Sequence, residues 1–234
     1  MLSVDVALPV YNEERVLAQS VRTLREFLQS GFPCCWQLVI VDNASTDGTL
    51  AVAKELSAKY PEVRYIHLDV KGRGLALRQA WLSTQADIVS YMDIDLSTNL
   101  KHFPLLIEAL TKGYDVAIGS RLMPASRIKR SLKREVLSRG YNLMVRAMFL
   151  THFSDAQCGF KALTRQAAQA LVPLVQDNKW FYDSELLILA EKKGYRIAEI
   201  PVEWVEDLDS RVHILRTALD DVRGLIRVRA HPIP

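Results

Sequence analysis

Residues 88–97 read IVSYMDIDLS, a short, largely apolar run that ends in an Asp-Ile-Asp triplet. A run of that length, closed by polar residues, reads as a buried strand. Residues 4–8, 38–41, 63–68 and 116–118 have the same character, and longer stretches with helical spacing fill the gaps between them. Strands alternating with helices predict an α/β fold, a mostly parallel central sheet flanked by crossover helices. Ligands of such open sheets bind beyond the carboxyl ends of the strands. The residues after each run are therefore the ones to read for chemistry: 9–13 (PVYNE), 42–49 (DNASTDGT), 69–74 (DVKGRG), 93–97 (DIDLS) and 119–121 (GSR).

A length of 234 residues suits one compact unit with a substantial core. Apolar residues make up 49% and charged residues 24%, ordinary globular usage that excludes disordered and fibrous classes. A formal net charge of +3 is too mild to imply nucleic acid. Cys34, Cys35 and Cys158 are odd in number and two are adjacent, which argues against a disulfide framework and for a reducing compartment. No basic leader with a cleavable apolar segment precedes the first strand, so a cytoplasmic location is expected. Arg146 interrupts the apolar run 143–153, and no stretch reaches the roughly 20 apolar residues of a membrane span.

In an extended backbone alternate side chains point the same way, so Asp93 and Asp95 can face one ion. Hard oxygen ligands suit Mg2+ or Mn2+, which keep waters and bridge to substrate phosphates. An isolated acidic triplet after a strand is more often a loop or capping feature; its neighbours reverse that reading here. Asp42 closes the second strand where a base or ribose hydroxyl would sit, whereas Ser45, Thr46 and Asp47 resemble a helix cap. Residues 71–80 (KGRGLALRQA) place glycines and cations at a helix start, a candidate diphosphate cradle, though without a Walker A ending.

The second half is less regular. A basic helical stretch, 132–150, belongs to a cluster holding Arg121, Arg127, Lys129, Arg130, Lys133, Arg134, Arg139 and Arg146, with Glu135 the only acid among them. Such a cluster is either a solvated face or a phosphate or anionic-lipid site. Residues 155–161 (DAQCGFK) follow, with Cys158 read as a small hydrophobe. A helix is expected near 183–193 and a strand near 197–204. The last segment puts Leu215, Ala218, Leu219, Val222, Leu225 and Ile226 on one helical face, read first as core packing.

Taken together, PVYNE, DNASTDGT, residues 71–80, the DxD triplet, GSR, DAQCGFK and the Ser210–Arg211 pair resemble the glycosyltransferase family 2 enzymes of the GT-A fold. The polyprenyl-phosphate branch, with dolichyl-phosphate mannose and glucose synthases, is the nearest in pattern. The resemblance implies one GT-A catalytic domain with a Rossmann-like sheet over 1–234. It divides into a nucleotide-sugar half (1–121), an irregular acceptor-side half (122–211) and a C-terminal amphipathic helix (212–234). It implies a donor site of Pro9, Tyr11, Glu13, Asp42, Lys71, Asp93, Gln157 and Lys161, a Mg2+ or Mn2+ on Asp93 and Asp95, and catalytic roles for Asp95, Arg121, Arg139 and Arg211.

Ser97 stands where relatives often complete the metal shell, and Asn43 where many carry a second acid. The implied reaction is inverting transfer of a hexose from UDP-glucose or GDP-mannose to a polyprenyl or dolichyl phosphate. The chain is expected at the cytoplasmic face of a membrane, held peripherally or by a membrane-anchoring partner, with no nucleic acid involved. A hydroxyl acceptor, or a nucleotide-binding module without transfer, are the competing readings.

Overall fold

The computed structural model describes residues 1–206 and 214–231. Ser210 and Arg211 lie outside the described residues. In chain order the first half runs β1 (Ser3–Val10), α1 (Leu17–Gln29), β2 (Cys35–Asn43), α2 (Thr49–Lys59), β3 (Val63–Leu68), α3 (Arg73–Leu82), β4 (Ile88–Met92), α4 (Phe103–Thr111) and β5 (Val116–Ser120). The second half adds β6 (Arg127–Lys129), α5 (Leu132–Phe149), β7 (Phe160–Thr164), α6 (Arg165–Leu171), α7 (Tyr182–Lys192), β8 (Ile197–Pro201), β9 (Glu203–Val205) and α8 (Ile214–Ala230).

All five strands expected in the first half are present, and they join a sheet ordered β3-β2-β1-β4-β7-β5-β8. Every pairing in it is parallel except those of β7, which runs antiparallel to both β4 and β5. Strand β7 is the element the sequence hid, because its charged Lys161 breaks the apolar run that would mark a central strand. The expected strand 197–204 divides around Val202: β8 continues the main sheet beside β5, and β9 pairs with β6 in a separate two-stranded ribbon. A bridge from Thr98 to Trp204 ties that ribbon to the loop after β4.

Two apolar layers cover the sheet. One collects α1, α2 and α4 against Val4, Val6, Leu8 and Val10 of β1, and the other collects α3, α5, α6, α7 and α8 against Ala7. The period of two along β1 assigns alternate residues to the two layers, as a strand buried on both faces requires.

Helix α8 docks differently from the expectation. Leu219 and Ile226 are exposed, and the buried stripe is Asp221, Gly224, Leu225 and Val228. Leu225 of the expected face is buried; a Cβ on Gly224 would lie 2.4 Å from the Phe181 ring, so the glycine lets α8 settle against the start of α7.

Candidate active site

Among the described residues four non-glycine residues take a left-handed backbone, and three of them, Asn12, Ala44 and Leu96, come just after β1, β2 and β4. Such conformations persist where surrounding contacts over-determine them, commonly at ligand sites. Here the contacts are visible. The Asn12 amide donates to Ser45 Oγ at 3.0 Å, the Thr46 amide to Asn12 Oδ1 at 2.8 Å, and the Glu13 amide to Thr49 Oγ1 at 2.7 Å. The cap position of α2 falls on Gly48, which has no side chain to offer; of the expected capping cluster only Asp47 reaches the helix, its Oδ1 accepting from the Thr49 amide at 3.0 Å.

Asp42 is fully buried; one oxygen accepts from the Ser45 amide at 3.3 Å and the other lies 2.6 Å from His67 Nδ1. His67 escaped the sequence reading, yet the β2–β3 register sets it directly beside Asp42. Lys71 Nζ stands 3.1 Å from the centre of the Tyr11 ring, a cation–π contact. Pro9, Tyr11, Asp42 and Lys71 thus gather at the ends of β1, β2 and β3, with Glu13 on the adjoining loop.

The diphosphate cradle expected at the start of α3 is not what its glycines make. The Gly72 amide donates to Asn43 Oδ1 (2.6 Å), the Gly74 amide to the Lys179 carbonyl (3.2 Å) and the Leu75 amide to the Asn178 carbonyl (3.2 Å). Those donors are consumed inside the protein. A Cβ on Gly72 would meet the Asn178 carbonyl at 2.6 Å, and one on Gly74 the Tyr182 side chain at 2.7 Å. The glycines bring α3 against the entry to α7.

Asp93 and Asp95 follow β4 as expected and line one recess with Ser97, Thr98 and Gly159. The Asp93 carboxylate lies against Gly159, where a Cβ would come within 1.8 Å of Oδ2. Its Oδ1 accepts from Arg73 Nη2 at 2.6 Å. Arg73 also pairs with buried Asp183 through Nη1, and its guanidinium lies 5.0 Å from the Tyr91 ring centre and 4.9 Å from that of Trp180. Asp95 Oδ1 accepts the Ser97 amide at 2.9 Å, so Ser97 contributes its backbone to the turn.

Lys161 is a correction. Expected among the donor-binding residues, it is completely buried, because the β4–β7 register sets it opposite Tyr91 inside the sheet. Its Nζ bonds the Cys158 carbonyl at 2.5 Å and lies 3.0 Å from Asp183. Burial opposes the charge of Asp183, but Lys161 and Arg73 hold its pKa below the ordinary range. Lys161 therefore supports the site from beneath. Cys158 is buried as read, and burial pushes its thiol up to about 12, so it offers no thiolate near neutral pH.

The arginines are only partly together. Arg121 forks onto Asp155, with Nε to Oδ2 at 2.8 Å and Nη2 to Oδ1 at 2.9 Å, over the Trp204 ring. Burial works against charge at Asp155, yet Arg121 holds its pKa at about 2. Arg121, Arg130, Glu135 and Arg139 line one open pocket of about 480 Å³. Glu135 bridges the other two arginines, taking Arg130 Nε and Arg139 Nε at 2.5 Å each. The Arg130 side chain is only 4% exposed, and its Nη2 has no hydrogen-bond partner among the described residues. A buried guanidinium nitrogen without a partner on the wall of a pocket marks a place for an anion. Sequence reading had Arg130 only as one of a basic cluster.

A model of glycosyl transferase family 2 matches residues 5–172, well over half of the chain. The chain belongs to glycosyl transferase family 2. Similar proteins include glycosyltransferase AglD of Haloferax volcanii, 39% identical over 93% of this chain and 35% of that protein. Others are the dolichyl-phosphate beta-glucosyltransferases of Saccharomyces cerevisiae, 31% identical over 96% of this chain and 73% of that protein, and of Homo sapiens, 33% over 86% and 67%. This family 2 chain therefore spans about a third of the first relative's length and roughly seven tenths of the other two. The solved glucosyl-3-phosphoglycerate synthase of Mycobacterium tuberculosis superposes with TM-score 0.75 in its UDP complex, at 21% identity, covering 99% of this chain and 81% of that one. The same enzyme with Mn2+ and UDP-glucose gives TM-score 0.70 at 20% identity, covering 97% and 79%. That likeness establishes the GT-A fold.

Within this family 2 fold, α8 is latched over the site's rear. Gln157, expected at the donor, instead donates Nε2 to Asp221 Oδ2 at 2.9 Å, and Arg227 forks onto Glu185 at 2.9 and 2.8 Å. Burial, then the nearby Asp177, raises the Asp221 pKa to about 7, with Asp183 and Asp220 adding to it. A carboxyl raised in the folded state stays protonated there while the unfolded one ionises. Its contribution to stability is therefore full below about pH 4 and lost as pH rises to about 7. Asp221→Asn keeps an acceptor for Gln157 and removes the charge. It is expected to raise Tm at pH 8 by roughly 5 °C and to leave it unchanged near pH 4, as read by thermal melts across that range.

Proposed function

We propose that the chain catalyses inverting transfer of a hexose from a nucleotide diphosphate sugar, UDP-glucose or GDP-mannose, to a polyprenyl or dolichyl phosphate. The observation that carries this reading is Arg130 Nη2, without a hydrogen-bond partner among the described residues, in a pocket shared with Arg121 and Arg139. Burial opposes the charge of Arg121, and Asp155 overcomes it, with Cys158 and then Asp93 adding to the hold, so Asp93 acts electrostatically on a wall of that pocket. A donor diphosphate at the acidic pair and an acceptor phosphate in the arginine pocket would then be neighbours. The names of the yeast and human relatives favour glucose and a dolichyl phosphate.

The acidic pair suits Mg2+ or Mn2+. Gly159 leaves room for the Asp93 carboxylate that any side chain would fill, and Asp95 follows two residues on. Among the described residues no cluster of three or more His, Cys, Asp or Glu surrounds it. Two carboxylates with diphosphate oxygens and waters make an ordinary shell for these ions. Bound there, the ion would neutralise charge on the departing diphosphate.

The chain's own residues divide the remaining work. Pro9, Tyr11, Glu13, Asp42 and Lys71 would frame the nucleoside. A phosphate acceptor is anionic near neutral pH and needs no general base, so the demand is for alignment and for offsetting repulsion between two anions. Arg130 and Arg139 would meet that demand directly. Arg121, committed to Asp155, would set the pocket wall. Arg211 is proposed to join them.

Helix α5 supports an approach to a membrane surface at its cytoplasmic face. Among the described residues no helix is long and apolar enough to cross a membrane. Yet Leu132, Val136 and Leu143 are exposed along one face of α5, with Leu150 just beyond its end, and the helical spacing sets Arg139 and Arg146 among them and Lys133 to one side. A face on which exposed apolar residues alternate with cations suits anionic headgroups, at about 1 kcal/mol for each cation near the surface.

Incubation with Mn2+, vesicles carrying a polyprenyl phosphate, and UDP-glucose or GDP-mannose tests the reading. The expected product is a glycosyl polyprenyl phosphate identified by mass, with the parent polyprenol inert. Transfer to alcohols alone, or nucleotide binding with no transfer to any acceptor, overturns it.

A further inference from the structure

Arg73 occupies a position that the proposed function does not explain. Its guanidinium joins Asp93, the first acid of the DxD triplet, to Asp183 at the start of α7. The side chain is 10% exposed, sits between Tyr91 and Trp180, and is held by backbone contacts of Gly74 and Leu75 to the α7 approach. Arg73 is thus a fixed cation, placed on one of the carboxylates that would hold a divalent ion.

Apart from Asp95, which lines the same recess as Asp93, the charges paired with it balance without such an ion. Asp93 and Asp183 face Arg73 and Lys161, two negative groups against two positive ones. A divalent cation arriving alone at Asp93 would share that carboxylate with Arg73 and be repelled across it, in surroundings shielded from solvent on the Asp183 side. A nucleoside diphosphate arriving with the ion brings negative charge for both cations.

We propose that Arg73 is a positioning residue that makes metal loading at Asp93 and Asp95 depend on the donor, so that nucleotide and divalent ion enter together. The inference rests on the metal reading above and deepens it. While the site is empty, Arg73 keeps Asp93 oriented against Gly159 and keeps free metal out. Once the donor is seated, the same guanidinium lies beside the diphosphate.

Mn2+ binding followed by electron paramagnetic resonance, with and without UDP or GDP, tests this. Wild-type protein should bind Mn2+ weakly alone and at least about tenfold more tightly with the matching nucleotide, and by reciprocity Mn2+ should tighten nucleotide by the same factor. Arg73→Gln should bind Mn2+ alone about tenfold more tightly than wild type, through lost repulsion, and show a smaller nucleotide effect. Arg73→Lys keeps a cation and should stay near wild type.

Equal Mn2+ affinity in Arg73→Gln and wild type, or Arg73→Lys behaving like Arg73→Gln, overturns the inference alone. If Arg73→Gln fails to fold, wild type and Arg73→Lys still decide: tight Mn2+ binding by wild type without nucleotide, or tighter binding by Arg73→Lys, overturns it. Absence of Mn2+ binding by wild type even with UDP and GDP overturns the metal reading, and this inference with it.

Discussion

Gly159→Ala lowers turnover by about a hundredfold or more while leaving the protein folded. The expectation follows from one distance: a Cβ at that position falls 1.8 Å from Asp93 Oδ2 and 2.4 Å from its carboxyl carbon. The backbone at Gly159 lies outside the left-handed region, so alanine brings no torsional strain of its own. The added methyl must be accommodated by moving Asp93, and Asp93 is tied through Arg73 to a buried anchor. Asp93 therefore leaves the geometry in which it and Asp95 face the same recess. Steady-state kinetics against Mn2+ concentration, with Asp95→Ala as the reference for a lost ligand, reads the effect. Wild-type turnover in Gly159→Ala would show that the observed position of Asp93 is not the working one.

Asp183→Ala should produce the largest loss of stability. Asp183 is 4% exposed and accepts from Tyr91 Oη, Lys161 Nζ and Arg73 Nη1. Removing it strands the fully buried Lys161 ammonium and loosens Arg73. Breaking a buried ion pair from one side costs about 3–5 kcal/mol, which for a chain of this size lowers Tm by about 10 °C or more. Adding Lys161→Met to Asp183→Ala should recover part of that loss, since the second change removes the stranded charge. A single Asp183→Ala melting like wild type would mean that Lys161 finds another counter-charge.

The first-half strands and the acidic edge were readable because a strand buried on both faces must be apolar and must stop where polar chemistry begins. The family pattern placed Pro9, Tyr11, Asp42, Asp93 and Asp95 at that edge, where the fold gathers them. What was not readable depends on long-range pairing. Lys161 belongs to a motif that looks like a ligand-facing loop, and only the register of β7 against β4 reveals it as a buried counter-ion. The glycines of residues 71–80 look like an anion cradle until Asn43, Asn178 and Lys179 are seen taking the amides. Arg130 was one cation among eight, and its unpartnered nitrogen is a property of burial. On α8, apolar periodicity chose Leu219 and Ile226, whereas the helix docks through Gly224 because a ring, Phe181, needs the space.

Strand β7 has a consequence for how the polypeptide comes together. Strand β5 touches the rest of the main sheet only through β7 on one side and β8 on the other. A nascent chain that has reached residue 121 can lay down β1 to β4, but β5 then has no neighbouring strand until residues 160–164 emerge and slip between it and β4. Residues 1–121 are therefore not expected to fold as an autonomous unit. Release of a 1–121 fragment would leave the open edge of β4 and an orphaned β5 exposed to edge-to-edge association, so the fragment is destined to aggregate.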